Sequence, residues 1–188
     1  MSLINKVTVN SHYTRSINLT RDADSTAITK SYIPTSRALK TLHQISDSLL
    51  QDEAPRAWSL VGPYGSGKSS FAVFLSHLLS NEKHPARKAA YQVLDKSSKE
   101  LSNSYGSLVD NNSGYCIVLL TGSPDSLSKS LVSSLSCSAN TIWETRKGKK
   151  PEVLKILSHY ASQSEPPKVG EILDAIQALQ NALHKIDY

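Results

Sequence analysis

Eight consecutive residues narrow the folding options of this chain more than any other stretch: Gly62-Pro63-Tyr64-Gly65-Ser66-Gly67-Lys68-Ser69. They satisfy the pattern G-x-x-x-x-G-K-[ST], in which glycines let the backbone curl round an anion while successive N–H groups point inward at it. Such a turn needs a strand to deliver it and a helix whose positive end faces the same anion. The flanks agree with that requirement. Ala57-Trp58-Ser59-Leu60-Val61, bounded by Pro55 and Gly62, reads as a short buried strand. Phe71, Phe74, Leu75, Leu78 and Leu79 then recur as one stripe of a helix.

Each residue of the turn has a separate physical task. Gly62, Gly65 and Gly67 permit close backbone approach and positive φ. Pro63, Tyr64 and Ser66 complete the cradle, with the backbone from Tyr64 to Ser69 facing phosphate. Lys68 would set its ammonium against the β- and γ-phosphates and is the candidate catalytic residue. The Ser69 hydroxyl is the candidate magnesium ligand, and Ser70 adds a hydrogen bond to the α-phosphate. A chance match in a chain of this length is roughly a one-in-a-hundred event. The implied ligands are ATP or ADP, with magnesium.

Around this turn the chain reads as an alternation of helices and strands. Residues 1–30 form an extended arm, with weak alternation at Val7, Val9, Ile17 and Leu19 that suggests one or two short strands. A helix of about four turns follows Thr35 or Ser36, carried by Ala38, Leu42, Ile45 and Leu49. Another helix spans about 85–102, and "NSYGSLVDNNSGY" reads as a loop. "CIVLL" (116–120) is the most strand-like run, as a central parallel strand covered on both faces should be. Ser123, Pro124 and Asp125 then open a helix buried through Leu127, Leu131, Val132 and Leu135. Two further helical patterns occupy about 151–162 and 168–186. The expectation is an α/β fold: an arm over 1–30, a partial nucleotide-binding core with a parallel sheet over 31–145, and a basic loop with helices over 146–188.

Composition sets the outer limits. At 188 residues, with 39% hydrophobic and 20% charged residues, this is a soluble globular composition. No apolar run approaches the roughly 18 residues of a membrane span, and the N-terminus lacks a secretory layout. Cys116 and Cys137 stand alone, which argues against zinc and a disulfide framework and suits buried thiols in a reducing cytoplasm. The net charge of +5 permits contact with DNA; its one tight cluster, Arg146-Lys147-Gly148-Lys149-Lys150, reads first as a solvated loop.

Hydrolysis would also need an acidic residue at the end of an apolar strand. "CIVLL" ends in Thr121-Gly122, "QVLD" (92–95) and "EILDAI" (171–176) lie inside helical patterns, and Asp187 follows a single apolar residue. With two core strands and no such acid, the chain reads as the N-terminal portion of a larger ATPase, showing little turnover alone. The Met1 start and the stop after an amphipathic helix favour that expectation over a degenerate module.

The order arm, helix "YIPTSRALKTLHQISDSLL", strand, glycine turn and helix resembles the N-terminal part of AAA+ and STAND-type P-loop ATPases. Through "VLLTGSPDSLSKSLVSSL" it also resembles large bacterial ATPases of phage-defence systems. The resemblance covers about residues 30–136. It implies a Walker A nucleotide site at Gly62, Gly65, Gly67, Lys68 and Ser69, and oligomer or defence-complex partners. The family's acidic strand, sensor residues and arginine finger have no match here. A small nucleoside or nucleotide kinase is the alternative, weakened by the roughly 55 residues before the first strand and by Arg146 being the only arginine beyond Arg87. A non-catalytic nucleotide-binding regulatory module is the third reading.

Overall fold

The structure is a computed structural model that describes residues 16–110, 114–122, 124–145 and 149–184. Among these residues there are eight helices and no strand. They are α1 (Thr26–Ser31), α2 (Ser36–Leu50), α3 (Lys68–Leu79), α4 (Arg87–Ser97), α5 (Lys99–Asp110), α6 (Leu127–Thr145), α7 (Glu152–Ser162) and α8 (Val169–His184). The chain divides into two compact units. The first runs to Leu79 and resumes over His84–Leu108; the second is formed by Ser80–Lys83 and the chain from Val109 onward.

Helix starts follow local chemistry. Thr35 caps α2 by accepting from the Ala38 amide, and Ser25 caps α1 by accepting from the Ile28 amide, each satisfying one orphan donor of the first turn. In the first unit, α2 contributes Ala38, Leu42 and Ile45 to the core, α3 adds Phe71, Phe74 and Leu78, α4 adds Ala90 and Leu94, and α5 adds Leu101, Tyr105 and Leu108. In the second unit, Leu135, Ala139 and Trp143 of α6 pack with Val153, Leu154 and Leu157 of α7 and Ala175 and Leu179 of α8. Among the described residues, no helix is long and apolar enough to cross a membrane.

The expected parallel sheet is absent from the described residues, which overturns the α/β fold and, with it, the resemblance to AAA+, STAND-type and other P-loop ATPase cores. Ala57–Val61 belongs to no strand or helix, is exposed, and makes no backbone hydrogen bond among the described residues; Val61 is 90% exposed. The run 116–120 likewise forms no strand among the described residues, and is half-buried, with Cys116 and Val118 against the second core. A continuous apolar run becomes a strand only when another strand accepts its backbone bonds, and the described residues supply none.

Three smaller expectations also shift. The segment read as a loop after 102 is mostly helix: α5 buries Leu101, Tyr105, Leu108 and Val109, spaced as one helical face. The region read as one helix over 85–102 is two, divided at Ser98, whose amide bonds to the Leu94 carbonyl. The expected strands of the arm do not occur over 16–30, where α1 forms instead; Val7 and Val9 lie outside the described residues, as do Ser123 and Arg146–Gly148. The helix after Pro124 starts at Leu127, later than read.

Two polar groups in the first core share one interest. The Tyr105 hydroxyl, fully buried, donates to the Leu42 carbonyl at 3.0 Å. Ser46, four residues after Leu42, is also buried, and its Oγ has no partner. A helical serine ordinarily bonds back to the carbonyl four residues earlier, here the one Tyr105 engages. Replacing Ser46 by Ala removes the orphan hydroxyl and should leave stability unchanged or raise it by up to about 1 kcal/mol, whereas Tyr105→Phe removes a buried hydrogen bond to a carbonyl that keeps its helical partner and should cost about 0.5–1.5 kcal/mol. Urea melts of the two variants beside wild type test the opposite signs.

Candidate functional site

Helix α3 places the glycine turn. Its buried side, with Phe71, Phe74 and Leu78, fixes the axis in the first core, and its first residue is Lys68. The turn therefore projects from a held helix end. Gly65 at φ +78° and Gly67 at φ +83° adopt the left-handed conformation that the chain needs to reverse there, and Ser66 N–H closes the turn on the Pro63 carbonyl at 3.3 Å.

Lys68 does not project into solvent. Its Nζ donates to the carbonyls of Gly62 at 2.8 Å and Pro63 at 2.7 Å, and lies 3.3 Å from Ser66 Oγ. All three donors of the ammonium are thus used, and the side chain ties the end of the turn to its beginning. The helix itself starts uncapped, because Gly67 has no side chain to accept from its first turn. The first-turn N–H groups of Lys68, Ser69 and Ser70 have no acceptor among the described residues, and no acidic residue stands in that turn. Free donors, the positive helix end and an ammonium thus stand within one short stretch of chain, a combination suited to an anion.

The predicted residues Gly62, Pro63, Tyr64, Gly65, Ser66, Gly67, Lys68, Ser69 and Ser70 are brought together by this turn. Gly62–Gly67 are exposed and Lys68, Ser69 and Ser70 half-buried. The strand expected to deliver the turn is the unpaired stretch Ala57–Val61. Asp95 and Asp174 lie inside α4 and α8.

A second constellation, invisible in the sequence, holds the far end of α3. His77 is buried, with Nε2 on the Ala23 carbonyl and Nδ1 on Thr29 Oγ1. A carbonyl only accepts, so Nε2 carries the proton and Nδ1 accepts from the Thr29 hydroxyl. His84 packs beside it at 4.9 Å between ring centroids and bonds through Nε2 to Asp24 Oδ1 at 3.1 Å. Burial lowers the His77 pKa from its ordinary value of 6.5; the Ala23 bond opposes that shift, the neighbouring His84 adds to it, and Asp24 opposes it.

No family model matches the chain, and no curated protein or solved structure matches it. The reading of the site therefore rests on its own geometry.

A neutral folded-state His77 has a consequence for pH. Above its ordinary pKa of 6.5, neither the folded nor the unfolded chain protonates this ring, and its contribution to stability is complete. As the pH falls below that value, the unfolded chain takes up a proton that the folded chain resists, and stability is lost down to the depressed folded pKa. Urea midpoints measured from about pH 7.5 to about pH 5 should decline. In His77→Gln they should start lower and decline less.

Proposed function

We propose that this chain is a nucleotide-binding module: it takes ATP or ADP, with magnesium, on the turn from Gly62 to Ser70, and turns ATP over slowly or not at all by itself. The observation that carries this reading is the uncapped start of α3, whose free first-turn amides directly follow the glycine turn that Lys68 closes. Phosphate would replace the Gly62 and Pro63 carbonyls as the partner of Lys68, exchanging neutral acceptors for a charged one, which is the stronger hydrogen bond. Ser69, in the first turn, would offer its hydroxyl to magnesium, and Ser70 its hydroxyl to the α-phosphate.

Slow turnover follows from what surrounds the turn. Binding accelerates a reaction only through contacts stronger in the transition state than in the ground state. Of the three acids weighed as strand-end candidates, Asp95 and Asp174 belong to helices and Asp187 lies outside the described residues, and no acidic residue stands in the first turn of α3. The module is read as part of a larger ATP-dependent assembly, because the stretch leading into the turn leaves Trp58, Leu60 and Val61 open to solvent, an apolar surface that a partner would cover.

Titration calorimetry with ATP and magnesium tests the reading. Wild type should bind, and Lys68→Ala should bind about tenfold or more weakly, the loss of one charge-assisted hydrogen bond being worth roughly 1.5–3 kcal/mol. Equal affinity in the two proteins would remove the assignment. A phosphate-release assay should show the same background for both.

A further inference from the structure

The helix that carries the glycine turn is gripped at both ends by one neighbouring segment. At the turn, Tyr64 is 92% exposed, yet its hydroxyl lies 2.6 Å from Ser16 Oγ. The segment beginning at Ser16 is braced internally. Arg21 Nη2 donates to the Ser16 carbonyl at 2.9 Å, and Asn18 Oδ1 accepts from the Thr20 and Arg21 amides and from the Thr20 hydroxyl. Buried Asp22 returns two bonds: its amide donates to the Asn18 carbonyl, and its carboxylate accepts from the Asn18 amide. The next residue, Ala23, receives His77 Nε2, and Thr29 of α1 meets the other ring nitrogen. Lys68 and His77 are nine residues apart on α3, a rise of about 14 Å. Residues 16–29 thus form a strap that touches α3 at its last turn and the glycine turn before its first.

We propose that this strap sets the glycine turn for phosphate binding, with Ser16 and Tyr64 as positioning residues and the His77 contacts as its anchor. The inference rests on the turn being the phosphate site. The turn is otherwise held by the short Ser66–Pro63 bond and by Lys68, and Lys68 must leave its carbonyls when phosphate arrives. At that moment the Tyr64–Ser16 bond is what still restrains the leading half of the turn. A turn restrained in advance loses less conformational freedom on binding, so ligand affinity rises without any new contact to the ligand. Tyr64 carries the restraint through its hydroxyl alone. Removing that oxygen frees the turn while leaving the ring, the strap and the core untouched.

A double-mutant cycle read by ATP–magnesium calorimetry tests this. Tyr64→Phe and Ser16→Ala should each weaken binding by roughly five- to thirtyfold, the freedom of about one backbone residue. The double variant should weaken it no further, because both substitutions break one bond. Ser16→Thr keeps the hydroxyl and should restore most of the affinity that Ser16→Ala loses. Melting temperatures should stay at the wild-type value, since both residues are exposed. Wild-type affinity in both single variants, or additive losses in the double variant, would overturn the strap while Lys68→Ala still reports a phosphate site. Unchanged affinity in Lys68→Ala would overturn the phosphate reading and the strap together.

Discussion

The burial of α3 is the constraint on which the first unit depends. Its apolar side chains reach the core shared with α2, α4 and α5, and that packing holds the helix axis against rotation. Every functional feature is hung on this one axis. Lys68 stands at its first position, the uncapped amides follow, and His77 sits in its last turn. If the core did not hold the helix, the free amides would fray into water and lose their common direction, because a short helix is marginal without tertiary packing. A side-chain cap at Gly67 would have satisfied one of those amides, and an acidic first turn would have opposed an incoming anion. Their absence leaves the positive end of the helix unfilled.

The helices were legible where periodicity was strong. Thr35 followed by Ala38, Leu42 and Ile45 announced α2 with its cap, and the two C-terminal patterns matched α7 and α8 to within about two residues. α5 was concealed by its composition: Asn103, Ser104, Gly106 and Ser107 look like a loop, although Leu101, Tyr105, Leu108 and Val109 fall on one face. The strand readings failed for another reason. Ala57–Val61 and 116–120 have the apolar content of strands, but a strand is a relation between two segments and is not a property of one. Local propensity cannot supply the missing partner.

The same distinction divides the candidate site. The glycine turn is contiguous, and its residues were readable because neighbours in sequence are neighbours in space. The clamp on His77 joins positions 48 and 54 residues apart, and Ser16 meets Tyr64 across 48. Nothing in the local pattern around His77 separates it from an ordinary half-exposed helical histidine. A buried histidine in a helix beside leucines is a weak hint at most, and only the fold supplies its acceptor and its donor.

The two tryptophans occupy opposite environments. Trp58 lies in the unpaired stretch just ahead of the turn and is 42% exposed, while Trp143 is 3% exposed among the side chains of α6, α7 and α8. An indole in water emits further to the red than one in an apolar core, so the chain carries two intrinsic optical labels of different colour, one in each unit. The red-shifted component senses solvent at the approach to the turn, and the blue-shifted component senses the packing of the second core. Quenching by a small solute such as iodide would reach the first and spare the second, which lets the two units be followed separately in one sample with no dye attached.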